Sequence, residues 1–70
     1  MINSKEKELE KLQDAVKEMA KVIAHRFKCK IDPVQINGDS FLFVHGDIVN
    51  VMLTICETDK RYCIKIEEFL

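Results

Sequence analysis

The sequence predicts an α+β fold in which one N-terminal amphipathic helix packs on a four-stranded antiparallel β-meander. Three observations predict it. Apolar residues recur every three or four positions through about the first 30 residues. After Pro33 the apolar period changes to two, which is typical of strands. Short polar or glycine-containing segments then divide the rest of the 70-residue chain into four runs, which favours antiparallel neighbours within one domain.

The helix is predicted over residues 4–29. Asn3 and Glu6 fit a capping box at its start. Asp32-Pro33 follows its end, because proline disfavours the helical conformation in the residue before it. Its larger apolar side chains, with alanines among them, form one stripe that must be buried. The members of the stripe are Leu9, Leu12, Ala15, Val16, Met19, Ala20, Ile23, Ala24 and Phe27.

The strands are predicted over residues 34–37, 40–45, 48–57 and 62–67. Gly38-Asp39 is the first predicted turn, and Pro33 suits an edge strand because it lacks an N–H group. His45-Gly46-Asp47 forms the second turn. The last turn, residues 58–61, contains no glycine, which favours a four-residue turn.

The register is predicted by pairing apolar side chains with each other across neighbouring strands. Pairing Glu57 with Tyr62 places Ile55 opposite Ile64 in the last hairpin. The two earlier turns place Val34 opposite Phe43 and Phe43 opposite Val49. One face then packs on the helix. That predicted inner face contains Val34, Ile36, Phe41, Phe43, Val49, Val51, Leu53, Ile55, Ile64 and Ile66.

The opposite face of the sheet is predicted to bind a protein. One helix covers only one side of a sheet, and a solvated antiparallel face should be polar. This face instead combines polar with contiguous apolar residues, which is typical of interaction surfaces. The predicted partner-binding residues are Leu42, Val44, Ile48, Asn50, Met52, Thr54, Cys56, Cys63 and Lys65.

The second strand leaves one alternative open. A slip of one residue would exchange Leu42 and Val44 for Phe41 and Phe43 on the outer face. The apolar patch would survive that exchange and become more aromatic. The sequence does not decide which face of this strand is buried.

Charge and composition exclude several classes of protein. Eleven Lys and Arg against twelve Asp and Glu give a net charge of -1, which disfavours a strongly basic nucleic-acid-binding protein. Hydrophobic residues form 47% of the chain, too many for a disordered protein. The longest apolar run, residues 41–44, is far shorter than the roughly 20 residues of a membrane span. Residues 1–10 lack the apolar core of a secretion signal, so we expect a cytoplasmic protein.

The cysteines are expected to be reduced thiols without a metal. The three cysteines are an odd number, and a cytoplasmic location favours the reduced form. His25 and Cys29 are four residues apart on the helix, a spacing that a metal could bridge. The predicted register places Cys56 and Cys63 on the far side of the sheet, however, so no zinc site is predicted.

Catalytic chemistry is not expected either. His45 and Asp47 flank Gly46, which we interpret as a polar hairpin turn rather than a base with its orienting carboxylate. Neither glycine belongs to a phosphate-binding loop. A domain with one small core also has little room for a substrate pocket of about 300 Å³. We therefore expect no enzyme activity, cofactor or small-molecule substrate.

The leading hypothesis is a small non-enzymatic protein-binding module that forms a homodimer, or blocks a partner protein, through its sheet. Small proteins with a helix and a meander occur among phage-encoded inhibitors of host or defence machinery, an analogy of size and architecture only. The alternative is a nucleic-acid-associated regulator that uses basic residues at the helix C-terminus and at a hairpin tip, provided that both lie at one end of the domain. Those residues are Arg26, Lys28, Lys30, Lys60 and Arg61.

Overall fold

The computed structural model confirms the α+β architecture and describes residues 4–59 and 61–68. One helix packs on one face of a four-stranded antiparallel sheet with the order β1-β2-β3-β4. The elements are α1 (Ser4–Phe27), β1 (Lys30–Ile36), β2 (Asp39–His45), β3 (Asn50–Glu57) and β4 (Tyr62–Glu68). The predicted capping residue Asn3 lies outside the described residues.

Helix α1 buries the apolar stripe that its sequence predicts. Val16 and Ala20 are buried, and Met19 and Ile23 pack against them at the edge of the core. Phe27 differs from the prediction, since 44% of it is exposed at the last position of the helix. The stripe therefore anchors the helix mainly through its middle turns.

The helix ends at a Schellman-type cap, two residues before the predicted end. Lys28 adopts the left-handed conformation with φ 55°, and the Cys29 N–H donates a hydrogen bond of 2.9 Å to the Ala24 carbonyl. This cap turns the chain directly into β1. The strand therefore begins at Lys30 rather than at residue 34, and Pro33 lies inside an edge strand, where a missing N–H is tolerated.

The first hairpin turns at Asn37-Gly38 instead of Gly38-Asp39. Asn37 has φ 52° and Gly38 has φ 85°, and two positive φ values at the central positions are typical of a type I′ turn. Val34 consequently pairs with Phe41 rather than Phe43. This shift is by two residues, so the side chains that were predicted to share a face still share one.

The second connection reverses the faces of two strands. Its four residues, 46–49, are closed by a hydrogen bond of 2.8 Å from the Gly46 N–H to the Val49 carbonyl. Phe43 therefore pairs with Met52 instead of Val49. Because this shift in register is odd, every side chain of β1 and β2 changes face relative to β3 and β4.

The core consequently takes the other side of β2. Val44 and Leu53 are both 0% exposed, and Leu42 packs beside them. The prediction that Phe41 and Phe43 face the helix is wrong, as it is for the residues that share their face on β1, Val34 and Ile36.

The last hairpin confirms its predicted register. Glu57 pairs with Tyr62, and Ile55 pairs with Ile64. Both isoleucines lie on the helix side and pack against the core. The helix side of β3 and β4 is therefore the one that the sequence predicts.

Gly46 lies so close to the end of the helix that a larger residue would collide with it. A Cβ atom at this position would lie 2.9 Å from Cys29 Sγ and 3.3 Å from the Lys28 carbonyl oxygen. We expect Gly46→Ala to lower the free energy of unfolding by about 1–3 kcal/mol, measured by urea denaturation. In a double-mutant cycle with Cys29→Ala, removal of the sulfur should recover part of that loss, and additive effects would contradict the contact.

Candidate protein-binding face

The sheet face that points away from α1 has a contiguous apolar region at its centre, which we call the outer patch. Val34 lies directly opposite Phe41, and Phe43 lies directly opposite Met52. Ile36 extends the patch along β1 and is 45% exposed, and the other four side chains are partly exposed. The outer patch thus consists of Val34, Ile36, Phe41, Phe43 and Met52.

A histidine–aspartate pair borders the outer patch on β1 and β2. His45 Nε2 lies 2.5 Å from Asp32 Oδ2. The His45 ring also stacks on the Phe43 ring, with centroids 4.7 Å apart and 25° between the planes. The polar border therefore holds the central aromatic side chain in place.

A lysine–glutamate pair borders the outer patch on β4. Lys65 Nζ lies 2.7 Å from Glu67 Oε1, and both side chains are about half exposed. The hydrogen bond to Glu67 and the attraction of its carboxylate raise the pKa of Lys65, which further favours the charged ammonium form. Each lateral border of the patch thus carries an internally paired positive and negative group, the histidine when it is protonated.

Thr54 places a polar group next to the apolar side chains. It lies opposite Phe41, and its hydroxyl donates a hydrogen bond of 2.8 Å to the Ser40 carbonyl. That bond satisfies the hydroxyl within the chain. Desolvation of this part of the face by a partner is therefore less costly than it would be for an unpaired hydroxyl.

Cys56 and Cys63 face each other on the same side of the sheet. Both are free thiols, and the Cys63 thiol lies 3.7 Å from the Cys56 carbonyl oxygen. A hydrogen bond between the two thiols, together with burial, raises the pKa of Cys56. Since the thiolate is the nucleophilic form, the raised pKa favours a structural over a reactive thiol.

The structure divides the partner-binding residues that the sequence predicts. Val44 lies in the core with 0% exposure, and Leu42 packs against the core, so their placement on the outer face is wrong. The cause is the odd register shift between β2 and β3. Ile48 is 80% exposed in the connecting loop. The remaining predicted residues lie on the outer face, as expected, and are Asn50, Met52, Thr54, Cys56, Cys63 and Lys65.

The basic residues of the nucleic-acid alternative do not meet. Arg26, Lys28 and Lys30 lie where α1 passes into β1. Arg61 lies in the turn between β3 and β4, at the opposite end of the sheet, and Lys60 lies outside the described residues. A seven-residue strand spans about 23 Å, so the two described groups do not form one surface.

An open groove lies on the helix side of the sheet. Its volume is about 490 Å³, and its lining includes Leu9, Gln13, Ser40 and Tyr62. The expectation that the domain has little room for a pocket is therefore wrong. Among the described residues, no group of three or more His, Cys, Asp and Glu side chains could hold a metal ion.

Comparison with known protein families, curated proteins and solved structures finds no match to this chain. Within residues 4–59 and 61–68, no helix has the length and apolarity that crossing a bilayer requires. Function must therefore be inferred from the chain's own surface, and the outer patch is its most distinctive described feature.

Proposed function

We propose that this chain is a non-enzymatic protein-binding module that binds a protein through its outer sheet face. The outer patch is the observation that carries the proposal. It groups five apolar side chains on the face opposite the one helix that the structure describes. Contiguous apolar groups with a polar border are typical of protein interfaces.

The composition of the outer patch is closer to that of the centre of a protein interface than to that of an ordinary exposed surface. Phenylalanine and methionine are enriched in the centres of interfaces, whereas most charged residues are depleted there. Phe43 and Met52 lie side by side in the middle of the face. Asp32, which contacts His45, flanks them on one side, and Glu67, which is paired with Lys65, flanks them on the other. Burial of a fully exposed side chain of this kind stabilises a complex by about 1.5–3 kcal/mol before association costs are subtracted.

A domain that acts through such a face needs no catalytic group. It would either pair with a second copy or cover a surface that its partner needs, as an inhibitor does. Nucleic-acid binding has weaker support, because the basic residues are divided between two ends of the sheet. An apolar interface should also respond little to salt, whereas counterion release weakens nucleic-acid binding steeply.

The proposal can be tested with a variant that removes the centre of the outer patch. Phe43→Thr/Met52→Thr replaces two apolar side chains by a residue that favours strands, so the sheet should persist. Val22→Thr is the matched control, because Val22 is 62% exposed on the helix. Each immobilised chain is exposed to its own purified copy and to an extract of the native cells.

We expect the unmodified chain and the Val22→Thr control to retain bound protein, and the patch variant to lose it. Raising the salt concentration from about 0.1 M to about 0.5 M should change the bound amount little. Binding that is unaffected by the patch variant, or absent from every chain, would contradict the proposal.

A further inference from the structure

We infer that the occupant of the outer patch is a second copy of this chain, packed face to face across a two-fold axis. This inference rests on the proposed function and names its partner. It is carried by the strand sequences, the exposed area and the charges around the patch.

The sequence of β2 is that of a strand covered on both faces. Residues 41–44 are all apolar, and strands buried on both sides have such continuous runs. Leu42 and Val44 supply the side that faces α1. Phe41 and Phe43 supply an apolar side that the described part of this chain leaves partly exposed.

The exposed area leaves room for a second copy. The chain has a solvent-accessible surface of 5833 Å². A compact monomer of 8.2 kDa exposes about 4,500 Å², so the excess is about 1,300 Å². A stable interface covers about 800 Å² on each partner. Dimerisation through one face would thus remove more than half of the excess.

The chain is an elongated, flat pair of layers, which leaves one broad sheet face open. Its radius of gyration is 13.0 Å, compared with about 11 Å for a compact domain of 70 residues. The principal extents are 44 × 23 × 16 Å, and the shortest of them is typical of two layers, helix and sheet. Two copies stacked sheet to sheet would form four layers, with the outer patches buried as a second core.

The outer patch is complementary to itself. Under two-fold symmetry one patch meets its own copy, so apolar groups lie against apolar groups. Two charged pairs at its border are satisfied within each chain, Asp32 with a protonated His45 and Lys65 with Glu67. Two-fold packing must also keep the exposed Asp39, which lies opposite Ile36, away from its own copy, since facing like charges weaken association.

The edges of the sheet are less suited to self-association. Pro33 removes an N–H from β1, one of the two edge strands. The other edge strand, β4, carries exposed Lys65, Glu67 and Glu68, and charged residues protect an edge from pairing. The face therefore explains association better than either edge.

Light scattering tests the inference directly, because it measures the mass of the purified chain in solution. We expect a mass of twice 8.2 kDa at about 100 µM, with dissociation on dilution. Phe43→Thr/Met52→Thr should weaken self-association by at least about 100-fold, and Val22→Thr should leave it unchanged. If circular dichroism shows that the double variant does not fold, Phe41→Thr and Met52→Thr are measured singly, and each should weaken dimerisation.

Two results would overturn the inference. One is a monomeric unmodified chain at about 100 µM. The other is a dimer that persists in every folded patch variant, which would place the contact elsewhere. If a monomeric chain still captures a foreign protein through the outer patch, the second copy is excluded as the partner while the proposed function stands.

Discussion

Val44→Asp is expected to unfold the protein, whereas Phe43→Asp is expected to leave it folded. The two residues are adjacent in β2, but Val44 is 0% exposed beneath the helix and Phe43 lies on the outer face. A buried, unpaired carboxylate costs several kcal/mol, which is comparable to the whole stability of a small domain. Circular dichroism at low temperature should show native structure for Phe43→Asp and an unfolded spectrum for Val44→Asp.

This pair of variants decides which face of β2 packs on the helix. The opposite result, unfolding by Phe43→Asp with a folded Val44→Asp, would restore the register that pairs Phe43 with Val49. Met52→Asp serves as a second outer-face variant, because Met52 lies opposite Phe43. Both outer-face variants should lower the melting temperature moderately through lost association, since binding between folded chains stabilises the folded state.

Leu53→Ala is expected to lower the free energy of unfolding by about 2–5 kcal/mol. Leu53 is 0% exposed in the central strand β3, between Leu42 of β2 and Ile66 of β4. The five buried residues among those described form a small core, so a cavity at its centre cannot be refilled easily. Urea denaturation at a fixed protein concentration measures the loss.

Ile48→Ala is the matched control for this cavity. Ile48 is 80% exposed in the loop between β2 and β3, so the same kind of truncation should change stability by no more than about 0.5 kcal/mol. Equal losses at the two positions would contradict the placement of the core.

The helix and the last hairpin could be predicted because their sequences have only one consistent solution. The stripe through Val16 and Ala20 fits the helical period, and no strand pattern competes with it. In the last hairpin, Ile55 opposite Ile64 is an apolar pair that a shift of one residue would destroy. Local pattern and tertiary packing therefore agree in both elements.

The inner and outer faces of β2 could not be predicted, because the strand has no alternation to follow. The residues at its centre, 41–44, are all apolar. The inner face is therefore apolar whichever alternate side chains of β2 point to the helix. The length of the loop decides which side of β2 faces the helix, and the sequence predicts three residues where the structure has the four residues 46–49, closed by the bond between Gly46 and Val49. The Asn37-Gly38 pair could have revealed the first turn, but it does not determine which side of β2 faces the helix.

The candidate site could be predicted as a region but not residue by residue. An apolar outer patch is expected whichever side of β2 faces the helix, because β2 is apolar on both sides. The identity of its members and the pair of His45 with Asp32 depend on the register. The sequence predicts a first strand that begins only at residue 34, which leaves Asp32 outside it, whereas the observed β1 begins at Lys30.

Isotope-filtered nuclear Overhauser spectroscopy on a mixture of labelled and unlabelled chains tests most directly whether the outer patch binds a second copy. We expect intermolecular contacts between the aromatic rings of the outer patch and the Met52 methyl group. The methyl group of Met19, which lies on α1 and packs against the core, should show contacts within one chain only. Intermolecular contacts confined to the helix surface or to β4, or none at a concentration of about 1 mM, would contradict this expectation.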